Sequence, residues 1–256
     1  MFTELIHEGS VSLVEKIKSD FVLLSVRINS KPVFQPGQFM MIQVSNSYDP
    51  LLLRPFSILD KHDDVYRFLI KIMGRGTKLI SEFKVGRRLF LTGPFGNGFP
   101  FDIGSDSIVV AGGAGIASVF AFVQRLHKHH IPYELIYGAK TSDELVLLDM
   151  LKPYNHTIVT DDGSMGYHGV VTDVLKKRIN HKHTIFACGP TPMLSAVKNI
   201  ATRHGITCYL SLEARMACGF GVCLGCTIFD SNGKTRRVCK DGPVFRAEEV
   251  VLDKKI

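Results

Sequence analysis

Residues 107–124 read SIVVAGGAGIASVFAFVQ, a run without a charged side chain. A membrane-spanning helix needs about 20 apolar residues in a row, so the run is barely long enough to cross a bilayer. Gly112, Gly113 and Gly115 all fall in its first half. It reads instead as a buried strand, a tight turn and a helix. The chain that follows keeps this rhythm. YELIYGA precedes SDELVLLDML, HTIVTDD precedes GVVTDVLKKRI, and HTIFACG precedes PTPMLSAVKNIATRHG, before a closing strand TCYLSL at 207–212. Such alternation predicts an α/β unit over residues 103–210, a doubly wound parallel sheet with helices on both faces. Ligands of these sheets bind at the carboxyl ends of the strands, where GGAGIAS (112–118) and CGPTPM (188–193) sit.

Upstream, residues 1–102 read as a different unit. FVLLSVRI (21–28), FMMIQV (39–44), VYRFLIKI (65–72) and RRLFLTG (87–93) are short and rich in β-branched and aromatic residues. Turn residues separate them, so an antiparallel β-barrel is expected. One short helix interrupts it, capped by Thr77 with Leu79, Ile80 and Phe83 on one face. Residues 211–256 form a third, Gly- and Cys-rich segment. A chain of 256 residues with 45% apolar and 21% charged residues holds one to two domains' worth of core and is neither disordered nor collagen-like.

The net charge of +7 is spread along the chain. Its densest group, Lys176-Lys177-Arg178, falls in a last helical turn, where cations complement the helix dipole. No aromatic-and-basic pattern of a single-strand reader occurs, so nucleic acid is not the expected partner. Glu4 and Glu8 stand where a signal peptide carries basic residues and an apolar run, which points to a cytoplasmic protein away from the membrane.

Cys188 and Cys208 lie singly in apolar runs, as small core side chains do. Cys218, Cys223, Cys226 and Cys239 instead crowd together with gaps of four, two and twelve residues. This is the C-x4-C-x2-C…C order of plant-type [2Fe–2S] sites. Gly219, Gly221 and Gly225 let the loop wrap a compact inorganic core with amides free to reach sulfur. A structural zinc also takes four thiolates, but usually as two close pairs, so the spacing favours iron–sulfur.

Arg54-Pro55-Phe56-Ser57 suits a diphosphate, because a guanidinium grips it bidentately while proline fixes the turn. Alone, the tetrapeptide is equally a proline turn with a surface arginine. Gly74-Arg75-Gly76-Thr77, opening the short helix, adds amides that bind phosphate. Together they read as a dinucleotide cradle. Gly93-Pro94-Phe95-Gly96-Asn97-Gly98-Phe99 closes the barrel. VVAGGAGIAS (109–118) departs from the G-x-G-x-x-G fingerprint but still sets a glycine turn between strand and helix, as a pyrophosphate requires.

Taken in order, RPFS, GRGT, GPFGNGF, VAGGAGIA and CGPTPM resemble the ferredoxin–NAD(P) reductase superfamily. The tail, SLEARMACGFGVCLGC followed by RRVCKDGPVF, resembles one branch, the electron-transfer subunits of type B dihydroorotate dehydrogenase. The resemblance implies that Arg54, Pro55, Phe56 and Ser57 hold FAD, with Leu69, Ile70 and Lys71 on the next strand and Gly76-Thr77 at its phosphates. Cys218, Cys223, Cys226 and Cys239 are implied as [2Fe–2S] ligands, with one FAD and one cluster per subunit. The implied partner is an FMN-containing catalytic subunit that oxidises dihydroorotate in pyrimidine (UMP) biosynthesis, in a heterotetramer of two catalytic and two electron-transfer subunits. Electrons then run from FMN through the cluster and FAD to NAD+. FAD converts one-electron into two-electron traffic, so no acid–base catalytic residue is required of this chain. The alternative in the same superfamily is the small subunit of a ferredoxin–NAD(P) reductase or sulfide dehydrogenase complex. A zinc-bound interaction module on a degenerate reductase fold is the alternative outside it.

Four local expectations accompany this reading. Asp161-Asp162 should repel a 2′-phosphate and select NAD over NADP, unless they are a solvated loop. Arg236, Arg237 and Lys240 either raise the cluster potential or form a basic edge for a partner. Cys188 and Glu213, near the nicotinamide end, read as a core thiol and a salt-bridge acid. Met40-Met41 read as barrel core.

Overall fold

The computed structural model describes residues 5–101, 104 and 106–252. Residues 1–4, 102, 103, 105 and 253–256 lie outside the described residues, and with them Glu4 and the expected boundary at 102–103.

The amino-terminal sheet contains β1 (Ile6–Lys18), β2 (Phe21–Ile28), β3 (Phe39–Ile42), β4 (Arg54–Ser57), β5 (Asp60–His62), β6 (Val65–Lys71) and β7 (Arg88–Phe95). Their order is β4-β3-β7-β1-β2-β6-β5, antiparallel throughout. The longest strand, β1, escapes the sequence reading because its Glu, Gly, Ser and Lys residues hide the alternation that buries His7, Gly9 and Val11. RPFS is a strand rather than a turn. It pairs with β3 at the sheet edge, where Pro55 needs to donate no ladder bond. The short helix α1 (Arg75–Ser81) begins after Gly74. Thr77 is therefore not its cap but a first-turn residue whose hydroxyl oxygen accepts from the Met73 and Gly74 amides.

The second sheet is built from β8 (Asp106–Gly112), β9 (Tyr133–Ala139), β10 (His156–Thr160), β11 (Tyr167–His168), β12 (His183–Cys188) and β13 (Cys208–Ser211). These strands pair in parallel, in the order β11-β10-β9-β8-β12-β13. The helices between them are α2 (Ile116–Lys128), α3 (Leu148–Leu151), α4 (Val171–Arg178) and α5 (Thr191–His204). Alternation along the strands sorts the two faces. Val109 and Ala111 pack under α2, while Ile108 and Val110 pack under α4 and α5, as expected of a doubly covered parallel sheet. The helix expected over SDELVLLDML shrinks to the single turn of α3. A 3-10 turn at Ser142–Glu144 precedes it, and the backbone between is not helical: Leu145 is extended (ψ 126°) and Leu147 left-handed (φ 61°), which lets Leu145, Val146 and Leu147 all be buried.

The carboxyl-terminal segment holds a small hairpin, β14 (Thr227–Phe229) and β15 (Thr235–Arg237). It then returns as β16 (Val244–Arg246), which adds antiparallel to β13 and ends the second sheet. One apolar cluster joins Phe39, Met41 and Phe95 of the barrel to Ile108 and Val110 of the sheet and to Cys226 and Cys239. Of the two methionines, only Met40 belongs to the barrel core; Met41 faces this junction.

Candidate redox site

The glycine turn after β8 lies against the turn after β12. A Cβ on Gly115 would stand 2.3 Å from the Cys188 carbonyl oxygen, so only glycine lets α2 start this close to the neighbouring strand. Both turns open into a cavity of about 1300 Å³. That exceeds the roughly 300–1,000 Å³ of a site for one small ligand. Lys71 and Met73 line it from the barrel, Gly112–Gly115 and Asp161 from the sheet, and Thr227 and Ile228 from the hairpin.

At the barrel edge the two phosphate motifs meet. A Cβ on Gly76 would lie 3.0 Å from Arg54 Nε, so the guanidinium rests on the first turn of α1. Arg54 donates to the carbonyls of Leu52 and Leu53. Among the described residues it forms no ion pair. Asp49 reaches the same turn, but its carboxylate is paired with Arg75 at 2.7 Å, so the unpaired Arg54 guanidinium beside the helical turn suits a diphosphate. These residues fit a flavin dinucleotide. Of the other residues expected to touch it, Lys71 lines the cavity, whereas Leu69 and Ile70 bury their side chains in the apolar cores. The Thr77 hydroxyl is held within its own turn.

The four clustered cysteines surround one loop and hairpin. Cys226 and Cys239 are buried with their sulfurs 3.1 Å apart, and the Cys239 amide donates to Cys226 Sγ at 3.4 Å. The Cys223 amide donates to Cys218 Sγ and the Gly225 amide to Cys223 Sγ, both at 3.5 Å. Burial pushes the Cys218 thiol up, but the amides of Cys223, Phe220 and Val222 outweigh it and bring it down to about 6. Cys239 is pushed up to about 12 by burial and by the Cys226 sulfur. Among the described residues no three ligand side chains are gathered tightly enough for one metal ion. The sulfurs are associated in twos, which fits four thiolates shared between two irons. Amides aimed at sulfur also stabilise the charge of such a centre.

The loop is anchored to the barrel. Gly219 has φ +81°, and a Cβ there would stand 2.6 Å from Met41 Cγ. The Phe220 ring sits 6.3 Å from that of Phe95. The expected closing turn, residues 93–99, fastens the other side. The Asn97 amide donates to the Gly242 carbonyl at 2.6 Å, and Asn97 Nδ2 to the Asp241 carbonyl at 3.0 Å. Because β3 also pairs with β4 at Met41↔Pro55, a single strand carries the cysteine loop on one residue and the Arg54 grip on its neighbour strand.

The remaining expectations resolve individually. Arg237 pairs with Asp241 at 3.1 Å and Arg236 with Asp230 at 3.4 Å. Among the described residues only Lys240 of the three basic groups has no carboxylate partner. The Asp162 carboxylate accepts from the amide and hydroxyl of Ser164, while Asp161 faces the cavity. Cys188 is a buried thiol, pushed up to about 12 by burial and then by the Glu213 charge. Glu213 is not a salt-bridge acid, for among the described residues it pairs with no cation. It lines the cavity in a concave wall that water reaches while protein surrounds it, and this desolvation raises its pKa.

Sequence reasoning missed the hairpin and tail as cavity walls, namely Thr227, Ile228, Val251 and Leu252. No local pattern marks them, because their role follows from where β16 docks.

The barrel, the glycine-lined sheet end and the thiolate loop define an oxidoreductase of the ferredoxin reductase class. Residues 213–251 match the iron-sulfur cluster binding domain of dihydroorotate dehydrogenase B, and residues 109–199 the oxidoreductase NAD-binding domain. The dihydroorotate dehydrogenase B (NAD(+)) electron transfer subunit homolog of Aquifex aeolicus is 36% identical over 240 residues, 92% of this chain and 94% of its own. The electron transfer subunit of Caldanaerobacter subterraneus is 37% identical over 221 residues, 85% of this chain and 87% of its own. The chain belongs to the family of dihydroorotate dehydrogenase B electron transfer subunits. Among solved structures, the NADH-dependent reduced ferredoxin-NADP oxidoreductase is similar with a TM-score of 0.85 at 29% identity, covering 96% of this chain and 90% of that one.

Proposed function

We propose that this chain carries electrons from the FMN of a dihydroorotate-oxidising catalytic subunit, through a [2Fe–2S] cluster and FAD, to NAD+ in pyrimidine biosynthesis. The observation that carries this reading is the shared strand β3, which ties the cysteine loop at Met41 to the Arg54 grip through its pairing with Pro55. Electron transfer needs its centres at fixed, short separations, and a sheet pair is among the stiffest ways to hold them.

Each residue has a part in this reading. Arg54, with Gly76 and the start of α1, grips the flavin diphosphate. Pro55, Phe56 and Ser57 line the edge beside the ring, and Leu69, Ile70 and Lys71 contribute main chain and the Lys71 ammonium. Thr77 keeps its turn in shape. Cys218, Cys223, Cys226 and Cys239 ligate the cluster. Gly112–Gly115 receive the pyridine nucleotide's diphosphate. The domain reading follows as 1–102 for flavin, 103–210 for nucleotide and 211–256 for the cluster, with β16 lent to the sheet.

The partner is proposed to dock on the cluster loop. Phe220, Val222 and Leu224 are 45%, 72% and 62% exposed beside exposed Cys223, an apolar collar of the kind that marks interaction surfaces. A heterotetramer of two catalytic and two electron-transfer chains is the assembly this reading takes. A cytoplasmic location accords with six cysteines that form no disulfide.

A second reading, the small subunit of a ferredoxin–NADP oxidoreductase, is favoured by the solved structure named above. Co-expression with an FMN-bearing dihydroorotate-oxidising subunit separates the two. The first reading expects copurification and dihydroorotate-dependent NAD+ reduction that neither chain supports alone. Failure of the two chains to associate, with NADPH oxidised by this chain instead, favours the second.

A further inference from the structure

The family's nucleotide-binding region ends at residue 199, yet the cavity does not. Its wall continues onto the cluster-bearing hairpin. Gly225 sits in the wall between Cys223 and Cys226, and Thr227 and Ile228 follow directly after Cys226. Val251 and Leu252 complete the same side. They are tied to the hairpin, since the Val251 amide donates to the Phe229 carbonyl at 3.2 Å and Asp230 bridges to Val250. Val250 is fully buried with Cys226, Val238 and Cys239. The wall is therefore continuous with the packing around two of the cluster ligands.

Resting on the reading above, we propose that the cluster lobe supplies the third wall of the pyridine-nucleotide site, through Thr227, Ile228 and Val251–Leu252. Nucleotide binding and the redox state of the cluster are then thermodynamically coupled. The Thr227 hydroxyl is committed, donating to the Leu224 carbonyl at 2.7 Å, so the wall offers Ile228, Val251 and Leu252 as apolar contact. Gly225 is the transmitting residue, because its amide donates to Cys223 Sγ while the residue itself faces the cavity.

The sign of the coupling follows from charge. Reduction adds an electron to a centre already held by four thiolates. A ligand that excludes water from Gly225, and that carries an anionic diphosphate, opposes the added charge. Nucleotide occupancy thus lowers the cluster's potential and favours release of its electron toward an acceptor that is present. By reciprocity the oxidised cluster binds nucleotide more tightly than the reduced one, by the same factor.

The test is an EPR-monitored redox titration of the holoprotein, alone and saturated with ADP-ribose or with tetrahydro-NADH, a redox-inert dinucleotide. Binding of each is measured separately by calorimetry. The expected result is a lower midpoint for the cluster signal with at least one of the two, equivalent to about fivefold or more in coupled affinity. Ile228→Ala keeps the signal but weakens nucleotide binding several-fold and reduces the shift. A cluster signal whose midpoint ignores both ligands, although calorimetry shows them bound, overturns this proposal and leaves the electron-transfer reading intact. Wild-type affinity together with a wild-type shift in the Ile228 variant also overturns it. Loss of any cluster signal in reconstituted wild-type protein overturns both readings.

Discussion

Arg54 and Asp161 carry opposite charges, each bare of protein partners of opposite sign among the described residues, and in the proposed reading they serve two different nucleotides. Arg54→Ala removes a charge-assisted contact to a diphosphate. Hydrogen bonds of that kind are worth about 1.5–3 kcal/mol, or about 10- to 150-fold in affinity. Fluorescence titration of apoprotein with FAD is expected to show weakening in this range, with Arg54→Lys recovering only part because lysine lacks the planar fork. Unchanged FAD affinity in Arg54→Ala would remove the grip from the account. Asp161 faces the cavity, while the Asp162 carboxylate is spent on Ser164. The dipeptide that looks symmetric in sequence is therefore expected to act through one member. Asp161→Ser should raise the kcat/KM ratio of NADPH to NADH about tenfold or more by removing like-charge repulsion, and Asp162→Asn should leave the ratio near that of the wild type. Steady-state diaphorase assays with both nucleotides check this. The cluster segment was the most legible part of the sequence: the cysteine spacing is local in the chain and falls in the residues matched by the iron-sulfur family model. Arg-Pro-Phe-Ser, ambiguous alone, takes its strand form only from pairing with β3.

Elements were read less well, and in each case a long-range contact explains why. β1 was missed because only the barrel decides that a mixed polar strand is half-buried. The helix expected at residues 142–151 is broken between a 3-10 turn and α3, with Leu145 extended and Leu147 left-handed, because Leu145, Val146 and Leu147 enter together the core that the sheet shares with α2. The glycine-rich turn at residues 93–99 meant little alone and proves to be the socket for Gly242. The cysteine loop teaches the same lesson, for Gly219 is needed by Met41 as much as by its own turn. A side chain at φ +81° costs about 1–2 kcal/mol, and the Cβ clash with Met41 adds to it. Gly219→Ala is expected to lower cluster content at least twofold while leaving FAD content near one per chain, because the clash falls on the Met41 side chain and the β3–β4 backbone pairing beside Arg54 is kept. Iron, sulfide and flavin analysis of one preparation gives the ratio. Equal loss of flavin and iron would mean that the loop and barrel unfold together rather than separately.

At the scale of the molecule, the barrel, the sheet and the cluster lobe interlock by shared cores rather than by linkers. Phe21, Leu23 and Leu69 of the barrel pack with Phe99, Phe120 and Phe186, and Met41 and Phe95 pack with the buried cysteines. Because the cluster lobe shares its core with both the barrel and the sheet, the proposed reading has the partner come to the loop rather than the lobe swing out to it. The collar of Phe220, Val222 and Leu224 is the face proposed to meet it there. Lys240 stands beside it, its stem lying along Gly221 and its ammonium unpaired by any carboxylate among the described residues. That geometry favours an apolar contact with acidic groups at its rim. Val222→Asp combined with Leu224→Asp places two charges in the collar without altering a cysteine, and aspartate tolerates the left-handed backbone of position 224 (φ +60°). Desolvating two unpaired carboxylates costs several kcal/mol, so affinity for the catalytic subunit is expected to fall about 100-fold or more. Size-exclusion chromatography with light scattering should show the complex dissociating, while the visible spectrum of the isolated chain and its NADH–ferricyanide activity stay as in the wild type. Retention of the complex in the double variant would move the docking face away from the loop, and would require the electron to enter from the buried Cys226–Cys239 side instead.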